Sequence, residues 1–315
     1  MKVLFVHFAH NNDEIEGREL PKYFASKLHE VHSLFVKDVR KFIAKFHFDG
    51  RIEQITDQDL YETYDLIVCK SSSYQSYGHK YSNPNTRVVN ITPMGIPHNL
   101  KNISYGFDVS QLIKPPVSAM RESLVDYIPW ELRKNQIVIA ASIGTDKNQL
   151  EFVNYFDPEI LPNYKILFLG TIVSNSYADE IKRILSRKNV DFEFGNVDRK
   201  TLGRIYLESK FSALTTDPRP AQPYDPSPRV VFESISAGTP CLLSDLVRVH
   251  EGSKNFSFFY EHQNKNSFLD MLKTVANSDI SKLSKESYDY ASHEYTLENA
   301  CKIAYNDIMK VKSDL

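Results

Sequence analysis

Two carboxylates and a guanidinium group surround a predicted helix start in the second half of the chain. Asp225 precedes the helix, Arg229 lies in its first turn, and Glu233 follows four residues later. Residues four apart share a helix face, and helical side chains lean toward the N-terminus, so Arg229 and Glu233 are predicted to point toward the same end. A guanidinium group beside free backbone N–H groups binds phosphate, and flanking carboxylates bind hydroxyl groups. The pattern indicates a site for a phosphate between hydroxyl-rich rings, as in a nucleotide sugar.

The helix that carries these residues has clear boundary signals in the sequence. Ser227 is predicted as its N-cap and Pro228 as its first residue, since both types favour those positions. Gly238, with Pro240 just beyond it, predicts the end of the helix. The apolar face, which is predicted to pack on a sheet, consists of Val231, Phe232 and Ile235.

Arg229 is an unusual residue for the first turn, because the helix dipole disfavours a cation there by a few tenths of a kcal/mol. A bound anion would reverse that preference. The alternative is an exposed pair between Arg229 and Glu233 that contributes only about 0.3–0.5 kcal/mol and binds nothing.

The wider segment resembles the acidic motif of glycosyltransferase family 4, the retaining type B glycosyltransferases also described as glycosyl transferases group 1. In that family seven residues separate two acidic residues, and the second opens a run that ends in Gly-Xaa-Pro. Here Asp225 and Glu233 have that separation, and Glu233 opens Glu-Ser-Ile-Ser-Ala-Gly-Thr-Pro. The first acidic residue is usually Glu in the family, and Asp225 is one methylene shorter.

Other segments carry the same resemblance. Lys147, in Ile-Gly-Thr-Asp-Lys, aligns with the family's phosphate-binding Lys, whereas Ser142 stands where the family has Arg. Gly195 resembles the strand end where the nucleotide base docks. In the first half, Gly17 resembles the glycine-rich turn after the first strand, and His10 on that loop is the histidine best placed for a sugar contact.

The resemblance implies sugar transfer without a metal ion or another cofactor. Lys147 and Arg229 would stabilise the diphosphate leaving group, Asp225 would bind sugar hydroxyls, and Glu233 would bind the ribose. Preorganised cations and backbone N–H groups would replace the metal, and no protein nucleophile is implied. The implied donor-binding positions are Ser142, Gly144, Gly195, Ser227 and Val230.

Three functions remain open at this point. The first is a retaining hexosyltransferase acting on a glycan or other hydroxyl acceptor, with GDP-mannose as the first choice of donor because the family is rich in mannosyltransferases. UDP-glucose and UDP-N-acetylglucosamine follow. The second is a non-catalytic nucleotide- or glycan-binding protein, suggested by Asp225 and Ser142. The third is a nucleotide-sugar epimerase or a phosphorylase of the same architecture.

The composition is that of an ordinary globular protein. The chain has 315 residues, of which 42% are hydrophobic and 25% charged, and its formal charge of −2 gives no reason to expect a nucleic-acid partner. No apolar run approaches the roughly 20 residues of a membrane span. Cys69, Cys241 and Cys301 are far apart and odd in number, which argues against disulfides or a zinc site and favours a reducing cytoplasm. Cys69 and Cys241 lie in strand-like apolar runs and are predicted to be core residues. A homodimer is left open.

Alternating strand-like and helical patterns predict an α/β protein with two Rossmann-like domains facing each other across a cleft. The predicted divisions are an acceptor domain (1–115), a linker region (116–134), a donor domain (135–295) and a C-terminal helix that packs back on the first domain (296–315). The predicted elements of the first half are strands at Val3–Phe8, Ser33–Val36, Asp65–Lys70 and Val88–Ile91 and helices at Glu19–His29 and Asp59–Tyr64.

Some residues that resemble site residues have simpler explanations. Asp57-Gln-Asp59 fits a metal-binding Asp-Xaa-Asp, but Asp57 or Asp59 is predicted to cap the following helix. A lone histidine is more often structural than a ligand, which applies to His7, His98 and His250. Tyr74, Tyr77 and Tyr81 fit either packing or stacking on a sugar.

Overall fold

The structure is a computed structural model, and it describes residues 1–8, 20–37, 40–69, 80–83, 85–90, 127–218, 225–226, 228–249 and 251–310. The chain forms two compact units. The first contains Met1–Pro116 together with Leu297–Leu315, and the second contains Val117–Thr296. None of the described helices is long and apolar enough to span a membrane.

The first unit is built on a mixed six-stranded sheet with the order β4-β3-β2-β1-β5-β6. Strands β2, β1, β5 and β6 are parallel, and β3 and β4 continue the sheet in antiparallel fashion. The strands are β1 (Lys2–Phe8), β2 (Glu30–Lys37), β3 (Arg40–Phe46), β4 (Ile52–Ile55), β5 (Leu66–Cys69) and β6 (Arg87–Asn90).

The hairpin of β3 and β4 is absent from the sequence prediction. Its turn contains Asp49-Gly50, and Gly50 has a φ of 82°, the left-handed conformation that such turns require. The Asp-Gly pair between two runs of β-forming residues was therefore the available signal. The helix predicted at Asp59–Tyr64 is also wrong. A single 3-10 turn occupies Asp57–Asp59, and its N-cap is Thr56, whose N–H donates to Asp59.

Two helices cover one face of the first sheet. Helix α1 (Leu20–Ser26) packs against helix α9 (Leu297–Lys310), which comes from the far end of the sequence. The rings of Phe24 and Tyr305 meet edge to face at 4.8 Å. Cys301, Ala304 and Ile308 lie within the same core as the inward residues of β1. The core of the first unit therefore depends on a segment encoded after the second.

The second unit is built on a parallel six-stranded sheet with the order β14-β12-β10-β7-β8-β9. In chain order this is the doubly wound arrangement of a dinucleotide-binding fold, and the strand order reverses between β7 and β10. The strands are β7 (Lys134–Ala140), β8 (Lys165–Leu169), β9 (Phe192–Gly195), β10 (Ser209–Leu214), β12 (Cys241–Ser244) and β14 (Ser257–Tyr260). The short strands β11 (Asp225–Pro226) and β13 (Val247–Arg248) pair in parallel to form a separate two-stranded sheet.

Helices connect these strands and enclose an apolar core. They are α2 (Gln149–Tyr155), α3 (Asn175–Arg187), α4 (Arg199–Glu208), α5 (Arg229–Ser236), α6 (Glu251–Lys254), α7 (Lys265–Asn277) and α8 (Ile280–Glu294). Cys69 and Cys241 are fully buried, as predicted. The two units therefore confirm the predicted α/β class, and the fold is completed by strands that the sequence analysis did not identify, β3, β4, β11, β13 and β14.

A buried arginine joins several elements at the amino-terminal edge of this sheet. Arg133 directly precedes β7 and is only 4% exposed. Its guanidinium group donates to the carbonyl oxygens of Ile128, Ser209, Ala237 and Gly238 and to the hydroxyl of Thr239. Three of these acceptors lie just after α5, so the cation stabilises the C-terminal end of that helix.

Replacing Gly170 by Ala should destabilise the second unit. An added Cβ would lie 2.1 Å from the carbonyl oxygen of Ala141, so the ends of β7 and β8 would have to separate, at an expected cost of about 3 kcal/mol. Urea unfolding measures the effect. Gly195→Ala is the matched control on the adjacent strand, because its Cβ would meet nothing closer than 3.4 Å. Equal unfolding midpoints for the two variants would contradict the prediction.

Candidate functional site

The candidate site lies at the carboxyl ends of β7 and β10, where the strand order reverses. Ligands of open α/β sheets bind in the crevice that forms at such a point. The loop after β7 contains Ser142, Gly144 and Lys147, and the segment after β10 leads to α5. The topology therefore brings the predicted phosphate-binding Lys and the predicted acidic motif to the same edge of one sheet.

The loop after β7 is held in shape by a buried glutamine. Gln149 is fully buried and donates from its side chain to the carbonyl oxygen of Ser142 at 2.7 Å. Its side-chain oxygen accepts from the N–H of Gly144 at 3.4 Å. Between these contacts the chain forms a 3-10 turn, Thr145–Lys147, which ends at Asn148 with a φ of 44°. The side chains of Ser142 and Lys147 are half-buried.

The two loops of the switch point are hydrogen-bonded to each other. The hydroxyl of Thr215 donates to the carbonyl oxygen of Lys147. The N–H of Asp217 donates to the carbonyl oxygen of Asp146 at 3.3 Å. The backbone that carries Lys147 is thus fixed relative to the segment that follows β10.

Helix α5 begins one residue later than predicted. Arg229 is its first residue, and Pro228 is the N-cap, with a φ of −65° and a ψ of 130°. The prolyl φ suits either position, and the extended ψ excludes Pro228 from the helix. Ser227, the predicted N-cap, lies outside the described residues. The predicted end is confirmed, since Gly238 follows the C-cap with a φ of 70°.

The first turn of α5 presents a cation to solvent. The Arg229 side chain is exposed, and Val230 is half-buried. Upstream, the backbone of Asp225 is fixed because β11 pairs with β13, which joins Asp225 to Val247. The loop predicted at Asp225 is therefore a short strand.

Glu233 is buried rather than exposed. It is 3% accessible and lies against the start of α4. The Nε–H of Arg199 donates to Glu233 Oε1 at 3.1 Å, and Arg199 Nη2 lies 3.0 Å from the same oxygen. Burial raises the pKa of the Glu233 carboxyl, and the guanidinium groups of Arg199 and Arg229 lower it again. The alternative of an exposed Arg229–Glu233 pair is therefore wrong for Glu233.

Arg199 is a site residue that the sequence analysis missed. It is the first residue of α4, directly after the N-cap Asp198. A cation in a first helical turn is disfavoured, as at Arg229, and this was the available signal. The arginines that begin α4 and α5 therefore both act electrostatically on one buried carboxylate.

The structure describes some of the remaining predicted positions and not others. The carbonyl oxygen of Gly195 accepts from the N–H of Gly170 at 2.8 Å, so this backbone group is used within the sheet. Tyr81 is buried against Tyr64. Of His7, only the backbone in β1 is described. The positions that lie outside the described residues are His10, Gly17, Tyr74, Tyr77, His98, Ser227 and His250. Within the described ranges no three His, Cys, Asp or Glu residues are grouped as potential metal ligands.

Solved structures match the chain over almost its entire length, whereas no family model and no curated protein matches it. A glycosyltransferase from Rickettsia africae is 12% identical, with a TM-score of 0.60 and coverage of 99% of each chain. Sucrose-phosphate synthase from Thermosynechococcus elongatus is 13% identical, with a TM-score of 0.56 and coverage of 98% of this chain and 99% of its own. HepE from Anabaena, solved in complex with UDP, is 13% identical, with a TM-score of 0.55 and coverage of 99% and 100%. The chain therefore has the two-domain fold of type B glycosyltransferases.

Proposed function

We propose that this protein is a glycosyltransferase that moves a hexose from a nucleoside-diphosphate sugar to a hydroxyl acceptor, with retention and without a metal ion. The observation that supports this most is the carboxylate of Glu233, which is buried in the doubly wound unit against Arg199, the first residue of α4. Burying a carboxylate is costly unless its partners offset the cost, so such a group calls for a reason. Binding a hydroxyl of the nucleotide supplies one.

The proposed chemistry depends mainly on stabilising the leaving group. As the bond between the sugar C1 and the diphosphate breaks, negative charge grows on the phosphate oxygens. Arg229, Lys147 and the N–H groups at the start of α5 stabilise that charge electrostatically. The acceptor oxygen forms the new bond to C1, and its proton passes to an oxygen of the departing phosphate. Asp225 binds hydroxyls of the sugar, and Glu233 binds the ribose.

The donor base is the finer part of the proposal. GDP-mannose remains the first choice, and UDP-hexoses are the alternative, which the UDP complex of the similar structure HepE supports. Calorimetric titration with GDP-mannose, GDP, UDP-glucose and UDP, each with and without Mg²⁺, tests both points. Binding of one base series, unchanged by Mg²⁺, is expected. Binding that requires Mg²⁺ would overturn metal independence, and binding of none would overturn the nucleotide site.

A non-catalytic binding protein is the second candidate, and one residue favours it. Ser142 stands where the resembling family has a phosphate-binding Arg, so one cation of the leaving-group site is missing. Product analysis with the bound donor and a panel of glycan acceptors separates the two functions. Binding without sugar transfer or donor hydrolysis would favour the second, and conversion of the donor without an acceptor would indicate an epimerase.

Arg229→Ala should weaken nucleoside diphosphate binding and leave the fold intact. The side chain is exposed, so little stability depends on it, whereas loss of its charge-assisted bonds should cost about 1.5–3 kcal/mol of binding free energy. Calorimetry with the preferred nucleotide measures the loss. Arg183→Ala is the control, since Arg183 is an exposed arginine paired with Glu180 on α3. Unchanged affinity in Arg229→Ala would remove Arg229 from the phosphate site.

A further inference from the structure

The contact between Arg199 and Glu233 is arranged so that Arg199 orients the Glu233 side chain. Two nitrogens of Arg199, Nε and Nη2, approach the same carboxylate oxygen, Oε1, at 3.1 and 3.0 Å. Glu233 is 4% exposed at its side chain, whereas Arg199 is 39% exposed. The cation is thus partly in solvent, while the anion is enclosed by protein.

One nitrogen of Arg199, Nη2, contacts Glu233 without forming a hydrogen bond. This Nη2 atom is buried and makes no hydrogen bond within the described part of the chain, although it lies 3.0 Å from Glu233. A buried donor without a hydrogen bond is costly and calls for an explanation. The negative charge of Glu233, 3.0 Å away, offsets that cost electrostatically, which requires the carboxylate to be ionised and held in place.

Other titratable groups of the described residues also act on Glu233. Helix α4 contributes Tyr206 besides Arg199, and Tyr206 is fully buried, with its pKa raised by burial and by the charge of Glu233. Helix α5 itself contributes Arg229. Helix α8 also packs on α5, and its Ser287 and Ser284 hydroxyls donate to the carbonyl oxygens of Ile235 in α5 and Gly238 just after it. Arg199 is therefore a cation in direct contact with a carboxylate whose pKa is raised by burial.

We propose that Arg199 is a positioning residue, which holds the buried Glu233 side chain in one orientation and in its anionic form so that it accepts a hydrogen bond from a hydroxyl of the bound nucleotide. The inference rests on the proposed function and deepens it. Arg199 acts through Glu233, and the phosphates are bound by other groups.

A double-mutant cycle on nucleotide binding tests this assignment. Arg199→Gln and Glu233→Gln should each weaken UDP or GDP binding about 10- to 100-fold, the range of a charge-assisted hydrogen bond. The nucleotide affinity of the double variant should be no lower than that of the single variant with the larger loss, because the two residues act as one unit. Arg199→Lys, which keeps the charge, should retain more affinity than Arg199→Gln. Losses that multiply in the double variant would show that Arg199 contacts the ligand itself and would overturn the proposal.

A second measurement separates failure of this inference from failure of the proposed function, because it needs no ligand. Burial raises the folded-state pKa of Glu233. The stability that this carboxyl contributes is therefore present at low pH and is lost as pH rises through the folded-state pKa. Removing Arg199 should raise that pKa further. The urea midpoint of Arg199→Gln should therefore fall increasingly below that of wild type as pH rises above the ordinary pKa of a glutamate, about 4.3, and the Glu233→Gln background should abolish that trend.

Each outcome has a definite meaning. A constant difference between wild type and Arg199→Gln at every pH would overturn the ionic role of Arg199. The expected pH trend in a protein that binds neither nucleotide would retain the ion pair and reject the proposed function. If Arg199→Gln does not fold, the Arg199→Lys variant and the comparison of wild type with Glu233→Gln over the same pH range supply the test. Arg183→Gln, which breaks an exposed Arg–Glu pair on α3, should show neither effect.

Discussion

Glu233→Gln is expected to reduce kcat/KM for sugar transfer by about 10- to 150-fold, the equivalent of a lost charge-assisted hydrogen bond. Gln keeps the shape of the side chain in its buried setting but accepts a hydrogen bond as a neutral group. The result should appear mainly as weaker donor binding, because the proposed contact to the ribose exists before the transition state. Steady-state kinetics with the donor identified by calorimetry measure the change.

The matched control for this prediction is Glu180→Gln. Glu180 lies on α3 and is paired with Arg183 at the surface, so it shares the Glu–Arg pairing without the burial. Its kinetics should equal those of wild type. Near-native kcat/KM in Glu233→Gln would remove Glu233 from the donor site, even if the protein were shown to be a glycosyltransferase.

Arg133→Met is expected to be the most destabilising of the substitutions considered, by about 3–5 kcal/mol, since it removes one buried hydrogen-bonding centre and leaves several acceptors unsatisfied. Burial lowers the pKa of Arg133 to about 10, so the group stays charged at neutral pH. Its five hydrogen bonds connect the starts of β7 and β10 to the end of α5. Met fills comparable space but donates nothing. Urea unfolding at neutral pH measures the loss.

Two comparisons sharpen that test. Arg133→Lys should be intermediate, because a single ammonium group cannot reach acceptors arranged for a planar fork. Arg183→Met should be nearly neutral, because its side chain is 54% exposed and paired only at the surface. Equal stability of Arg133→Met and Arg183→Met would mean that the carbonyl groups around Arg133 find other donors.

The parts of the fold that the sequence predicted well are those with local signals, such as helix caps and apolar faces. Helix α5 was predicted from its caps and its apolar face, and the error of one residue arose because the φ of Pro228 fits both an N-cap and a first helical residue. Helix α4 (Arg199–Glu208) likewise has a local signal in the sequence, because Asp198 caps it through the N–H of Thr201. Strand order, by contrast, depends on pairings between distant segments that periodicity does not encode.

The candidate site shows the same division. The spacing of Asp225, Arg229 and Glu233 was visible in the sequence, whereas the burial of Glu233 was not. A helical pattern distinguishes an apolar from a polar face, but α5 is covered on more than one side, by the sheet and by α4. Arg199 is 34 residues from Glu233 in the chain. Only the tertiary fold brings the two together, so the sequence could offer no more than the unusual charge at the start of α4.

The position of α9 has a consequence for how the protein is made. Cys301, Ala304 and Ile308 complete the core of the first unit, yet the ribosome synthesises them after the whole second unit. Domains generally fold as units during synthesis, and apolar surface left exposed in the meantime promotes aggregation. The second unit can finish folding first, while the amino-terminal segment waits for its last helix. A released chain truncated before Leu297 should therefore contain a protease-resistant second unit joined to a chaperone-dependent first one.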